Sequence, residues 1–167
     1  MKAKLIVEGK EFDIEINDPE LQKLVTPPKN TGYERVEDGH TYSFVNTYGE
    51  IRTLDHEGPD DDLCYESANY YSDRTVAENN ARADKLMRQL RRYAVFHRDN
   101  DVDWYNINQT KYFIYYDYNG DALTIGTIAT SRRIFGIYFS SRSDAQAVID
   151  IYHDELIWYC TEYKDSL

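Results

Sequence analysis

Cysteine is scarce in this chain: Cys64 and Cys160 are the only two among 167 residues. They lie far apart, neither has a partner His, and no CxxC spacing occurs, which excludes a disulfide framework and a structural zinc motif. Both read as buried free thiols of a reducing cytoplasm. Long hydrophobic runs are missing as well. The N-terminal MKAKLIVEGK has only a short apolar run before Glu8, too little for a signal peptide or a membrane span, and no later stretch reaches the needed length. The Asn108-Gln109-Thr110 glycosylation match is therefore without consequence. The four histidines, His40, His56, His97 and His153, are dispersed without HxH or HExxH spacing, so no two imidazoles are set on one metal. GxSxG, P-loop and dinucleotide patterns are absent, and Gly126 and Gly136 lie too far apart to form one. These absences lead us to expect no cofactor, no metal and no catalytic role.

What is present describes an ordinary folded chain. Charged residues make up 29% and hydrophobic residues 41%, unlike a disordered tail. The length suits one domain or two small ones, burying roughly two thirds of the unfolded chain's surface. Sixteen tyrosines stand out. Each covers apolar area while keeping a polar tip, which suits half-exposed sheets and aromatic-lined surfaces. The formal net charge of −11 implies a soluble protein repelled by nucleic acid and anionic membranes over most of its surface.

The longest uninterrupted helical pattern is residues 75–98, TVAENNARADKLMRQLRRYAVFHR, without Gly or Pro. Val76, Ala83, Met87, Leu90 and Ala94, widened by Leu86 and Tyr93, mark its buried face. Thr75-x-x-Glu78 fits a capping box at its start. Before it, residues 3–8 and 11–16 alternate apolar and charged around Gly9-Lys10, a hairpin with Leu5, Val7, Phe12, Ile14 and Ile16 on one side. A short helix opened by Asp18-Pro19 and a prolyl linker, residues 26–30, follow. Strands are expected at 33–36, 41–46 and 50–54, then an acidic loop at 55–62 and a strand at 64–71. Beyond the helix, strands at 111–118 and 122–128 flank an Asn119-Gly120 turn, and a strand at 135–139 leads to helices at 143–152 and 154–163.

The two halves repeat. Residues 70–78, YYSDRTVAE, lie over residues 138–146, YFSSRSDAQ, at an offset of 68 that sets Thr75-x-x-Glu78 on Ser143-x-x-Gln146. Upstream, Tyr42-x-Phe44 aligns with Tyr112-x-Ile114 at an offset near 70. The fold expected is α+β: two duplicated antiparallel ββ(β)α modules, residues 31–100 and 101–167 with a closing helix, after an N-terminal hairpin segment, residues 1–30.

Two charged surfaces are candidates for binding. Arg82, Lys85, Arg88, Arg91 and Arg92, with Arg98, set six cations against Asp84 alone, a surplus of +5 on one helix. Either the chain's own acidic loops neutralise them, or they face an acidic partner or nucleic acid. Against direct nucleic-acid binding stands the acidic whole. The second surface is carboxylate: Asp55, Glu57, Asp60, Asp61 and Asp62, and Asp99, Asp101 and Asp103, which could replace phosphates on a basic partner. Asp99-x-Asp101-x-Asp103 opens like a calcium loop, but Trp104 stands where the turn needs Gly and Thr110 where a bidentate Glu belongs.

The segments GYERVEDGHTYSFVNTYGE (32–50), NYYSDRTVAENNARADKLMRQLRRYA (69–94) and DELIWYCTEYKDSL (154–167) resemble a group of mostly uncharacterised proteins from phages and prophages of Gram-positive bacteria, built of meander-plus-helix modules. The resemblance implies a mobile-element origin and a bacterial host cytoplasm, and it brings no catalytic residues. Small acidic phage proteins without enzymatic motifs often look like inhibitors of host defence, including those that occupy nucleic-acid channels of CRISPR nucleases. The function expected is therefore stoichiometric inhibition of a host protein with a basic groove, such as a defence nuclease, by an acidic nucleic-acid mimic of the anti-CRISPR type. The alternative is a nucleic-acid-binding accessory protein using the basic helix 82–98. A homodimer is a third reading.

Overall fold

The computed structural model describes residues 2–7, 10–15, 17, 31–97, 102–133 and 136–163. The chain divides into two compact units, Met1–Thr31 and Gly32–Leu167. The first contains an antiparallel hairpin of β1 (Lys2–Val7) and β2 (Lys10–Glu15), whose register sets Ala3 opposite Ile14 and Leu5 opposite Phe12. The expected Asp18-Pro19 helix and prolyl linker, with Ile16, lie outside the described residues.

The second unit is α+β. It runs β3 (Thr41–Val45), β4 (Ile51–Asp55), α1 (Pro59–Glu66), α2 (Arg74–Phe96), β5 (Lys111–Asp117), β6 (Ala122–Ile128) and α3 (Arg142–Thr161). Among the described residues β3 pairs with β4 and β5 with β6, giving two two-stranded hairpins. The expected three-stranded meanders shrink, because the third strand of each is a single bridged residue: Tyr71 exchanges both backbone bonds with Ser43, at 2.8 and 2.9 Å, and Phe139 does the same with Tyr112, at 3.0 and 2.8 Å.

Several segments depart from the sequence reading for local reasons. Residues 33–36 form no strand; Gly32 sits at φ +84° with no room for a Cβ, which would stand 2.6 Å from Val76 Cγ2, and the Val36 amide donates to the Tyr70 hydroxyl rather than to a ladder. Of the expected 64–71 strand, Tyr71 alone is bridged and residues 64–66 belong to α1. Pro59 enters its first turn and Asp60, Asp61 and Asp62 stand at its positive end, a combination that favours helix where the text looked like an acidic loop. Both long helices are capped two residues earlier than expected. The Asp73 carboxylate accepts the Thr75 amide at 2.7 Å, and Ser141 Oγ accepts the Asp144 amide at 3.1 Å. Glu78 instead pairs with Arg74 one turn back. The two expected C-terminal helices form one element that kinks at Tyr152 (φ −114°, ψ 21°), close to where the sequence separated them.

The core is assembled from both hairpins and all of α2's buried face. Around the first hairpin Tyr42 stacks on Tyr70 at 4.0 Å, with His56 edge-on to both. Around the second, Leu86 and Leu90 of α2 meet Ile125, Phe139 and the α3 residues Ala145, Val148, Ile149 and Leu156. In β6, Gly126 lies under the Phe113 ring opposite it; a Cβ there would stand 2.4 Å from the ring. Lys111 is fully buried, and its ammonium donates to the Asn106 and Ala129 carbonyls at 2.8 and 2.9 Å beside the Trp104 ring. It clamps the loop that precedes β5 to the chain that leaves β6.

Candidate interaction surfaces

The carboxylates near α1 divide by what holds them. Asp61 is buried: Tyr42 donates its hydroxyl to Oδ1 at 2.6 Å, and the Glu57 and Gly58 amides donate to Oδ2 at 2.8 and 2.9 Å. The Tyr42 bond, then the two amides, hold the Asp61 carboxyl below its ordinary value, while burial and the same bond push the Tyr42 phenol up. Asp62 pairs with Arg35 at 2.5 Å. Asp61 is thus held by the chain's own amides and Tyr42, whereas Asp62 is half exposed and pairs at the surface with Arg35. Asp55, Glu57 and Asp60 are exposed and line one shallow groove with Leu54, Gly58 and Pro59, at whose floor Asp61 also lies. Asp103 is exposed too, turned onto the Tyr105 amide. Asp99 and Asp101 lie outside the described residues.

The cations of α2 divide the other way. Arg82 forms two bonds to Glu155 of α3, at 2.8 and 3.1 Å, and lies 3.8 Å over the Trp158 ring. Arg82, still exposed, ties the two helices together, and the bond to it holds the Glu155 carboxyl below its usual range. Lys85, Arg88, Arg91 and Arg92 are exposed. Among the described residues none of these four forms an ion pair. Lys85, Arg88 and Arg92 share a shallow groove with Gln89. Among the described residues the ion pair that neutralises a cation of this set is that of Arg82, and its carboxylate, which also acts on Lys85, comes from a helix rather than a loop.

Sequence reasoning missed Arg35, Glu155 and Trp158, whose roles depend on partners far along the chain. It also passed over Gln89 and Phe96, which helical spacing alone places beside Arg92. An apolar cavity of about 170 Å³ lies between α2, the second hairpin and α3, lined by Leu86, Leu90, Tyr138, Leu156 and Cys160 among others. It is smaller than sites for cofactor-sized ligands. Burial there pushes the Cys160 thiol up, away from a reactive thiolate. Among the described residues no group of three or more His, Cys, Asp or Glu side chains is placed to hold a metal ion, and no helix is long and apolar enough to cross a membrane.

Fold and surfaces together define an α+β chain with an open cationic helix face and a separate exposed carboxylate groove. Comparison with known proteins finds no matching family model, no similar curated protein and no similar solved structure.

Proposed function

We propose that this chain is a non-catalytic binding protein of a bacterial host cytoplasm whose α2 face holds a phosphate-bearing partner, a nucleic acid. The observation that carries the reading is the exposure of Arg88, Arg91 and Arg92, none of which forms an ion pair among the described residues, in a chain that has eleven more acidic than basic residues; Lys85 beside them also lies near Glu155. Exposed arginines that ignore such a surplus of acid are ready for phosphate, to which a guanidinium bonds in bidentate fashion. The acidic remainder makes such binding weak and strongly dependent on salt. Four phosphate contacts give a log–log salt slope of roughly −3 to −4. Fluorescence anisotropy with labelled oligonucleotides across a salt series tests this: the triple variant R88E/R91E/R92E loses binding while keeping the parent's circular dichroism. No binding by the parent at low salt sinks the proposal.

A second reading keeps the phage-type inhibitor that mimics nucleic acid, since Asp55, Glu57 and Asp60 stay open to solvent. Its partner is a basic groove on a host protein, such as a defence nuclease. Replacing Asp55, Glu57 and Asp60 by Lys, with Asp61 and Asp62 left intact to preserve the fold, removes capture of such an enzyme from host lysate. Capture unchanged by the triple replacement defeats this reading.

A further inference from the structure

On the reading of α2 as a phosphate-binding face, we infer that its partner is single-stranded nucleic acid, with an unpaired base stacked on Phe96. The helical spacing of Lys85, Arg88, Gln89, Arg92 and Phe96 puts them on one stripe. The first four line a single groove. Phe96 ends the stripe as the last residue of α2, one turn and about 6 Å beyond Arg92. Its ring is 75% exposed, and among the described residues it makes no ring contact. A cationic track that terminates in a solvent-facing aromatic is the pairing that single-strand binders use, backbone on the cations and base on the ring.

The helix itself sorts the two ends. Its C-terminus carries the negative end of the peptide dipole, which disfavours a phosphate beside Phe96 and tolerates a neutral base. Arg88 and Arg92 stand further up the helix, where the phosphates belong. Gln89 between them offers an amide to a phosphate or base edge. A duplex keeps its base faces in the stack, so it can use the arginines and not Phe96; only an unpaired nucleotide uses both.

The test compares short single-stranded DNA, single-stranded RNA and duplex DNA of equal length by anisotropy, for the parent, F96A, F96W and R88E/R92E. The expected result is tighter binding of both single strands than of duplex. F96A weakens single strands about tenfold and leaves duplex affinity and the salt slope unchanged, F96W restores the loss, and R88E/R92E removes all binding. Phe96 is exposed, so F96A keeps the parent's melting temperature and its effect reads the contact. If F96A binds single strands as the parent does, or duplex binds equally well, the single-strand inference is overturned while the phosphate reading stands. If no nucleic acid binds the parent, the reading beneath it falls too.

Discussion

Asp61 shows how one carboxylate changes meaning with its neighbours. In the text it is the middle of an acidic triplet; in the fold it accepts three hydrogen bonds at the foot of α1. Its carboxyl is held below the ordinary value of 3.8. A depressed folded pKa contributes stability that is present above the unfolded value and lost as pH falls through the folded one. The melting temperature of the parent should therefore drop below about pH 4 more steeply than that of D61N, which has no proton to gain and is less stable at neutral pH. Parallel curves would contradict the assignment. Tyr71 behaves in the opposite sense: burial pushes its phenol up to about 12. Its contribution is complete below pH 10 and is lost as pH rises through about 12, so a late tyrosinate absorbance step should coincide with loss of ellipticity. For Lys111, truncation to Ala strands two carbonyls and opens a void, and urea denaturation should show a loss of about 3 kcal/mol.

At the scale of elements, the two long helices were the most legible part of the sequence, because their signals are local. Caps, dipole charges and a period of 3.6 all act within a few residues. Both caps fell two residues early, yet Asp73 and Ser141 keep the offset of 68 that the repeat suggested. Asp73→Ala and Ser141→Ala should each cost about 1 kcal/mol in thermal melts. The third strands were the least legible. A run such as residues 64–71 satisfies a strand pattern, but Pro59 and three aspartates begin a helix upstream and carry it through Glu66. One element prediction separates scaffold from surface. Gly126→Val drives a side chain into the Phe113 ring and should lower the melting temperature sharply, whereas R91S on the open face of α2 should leave it within measurement error. Equal effects would mean that the face of α2 taken as open is packed.

For the whole molecule, the same 23-residue helix serves both hairpins. Its start meets Gly32 and Tyr33 through Val76 and Asn80, and its later turns build the second core through Leu86 and Leu90. The second unit should therefore melt in one transition, and Leu86→Ala should shift that transition as a whole, costing about 3 kcal/mol. A biphasic melt would show that the hairpins fold apart. The sequence alone determined the α+β class, the extents of α2 and, split at its kink, of α3 to within two residues, the first hairpin and the charge surplus on α2, since each rests on periodicity, capping or composition within a short window; α1 was not among them. Which charges are free was decided only by tertiary structure. Tyr42 reaches Asp61 across 19 residues, Arg35 reaches Asp62 across 27 and Arg82 reaches Glu155 across 73. Such partners are set by how the hairpins and helices pack, and by elimination that packing leaves Lys85, Arg88, Arg91 and Arg92 facing solvent.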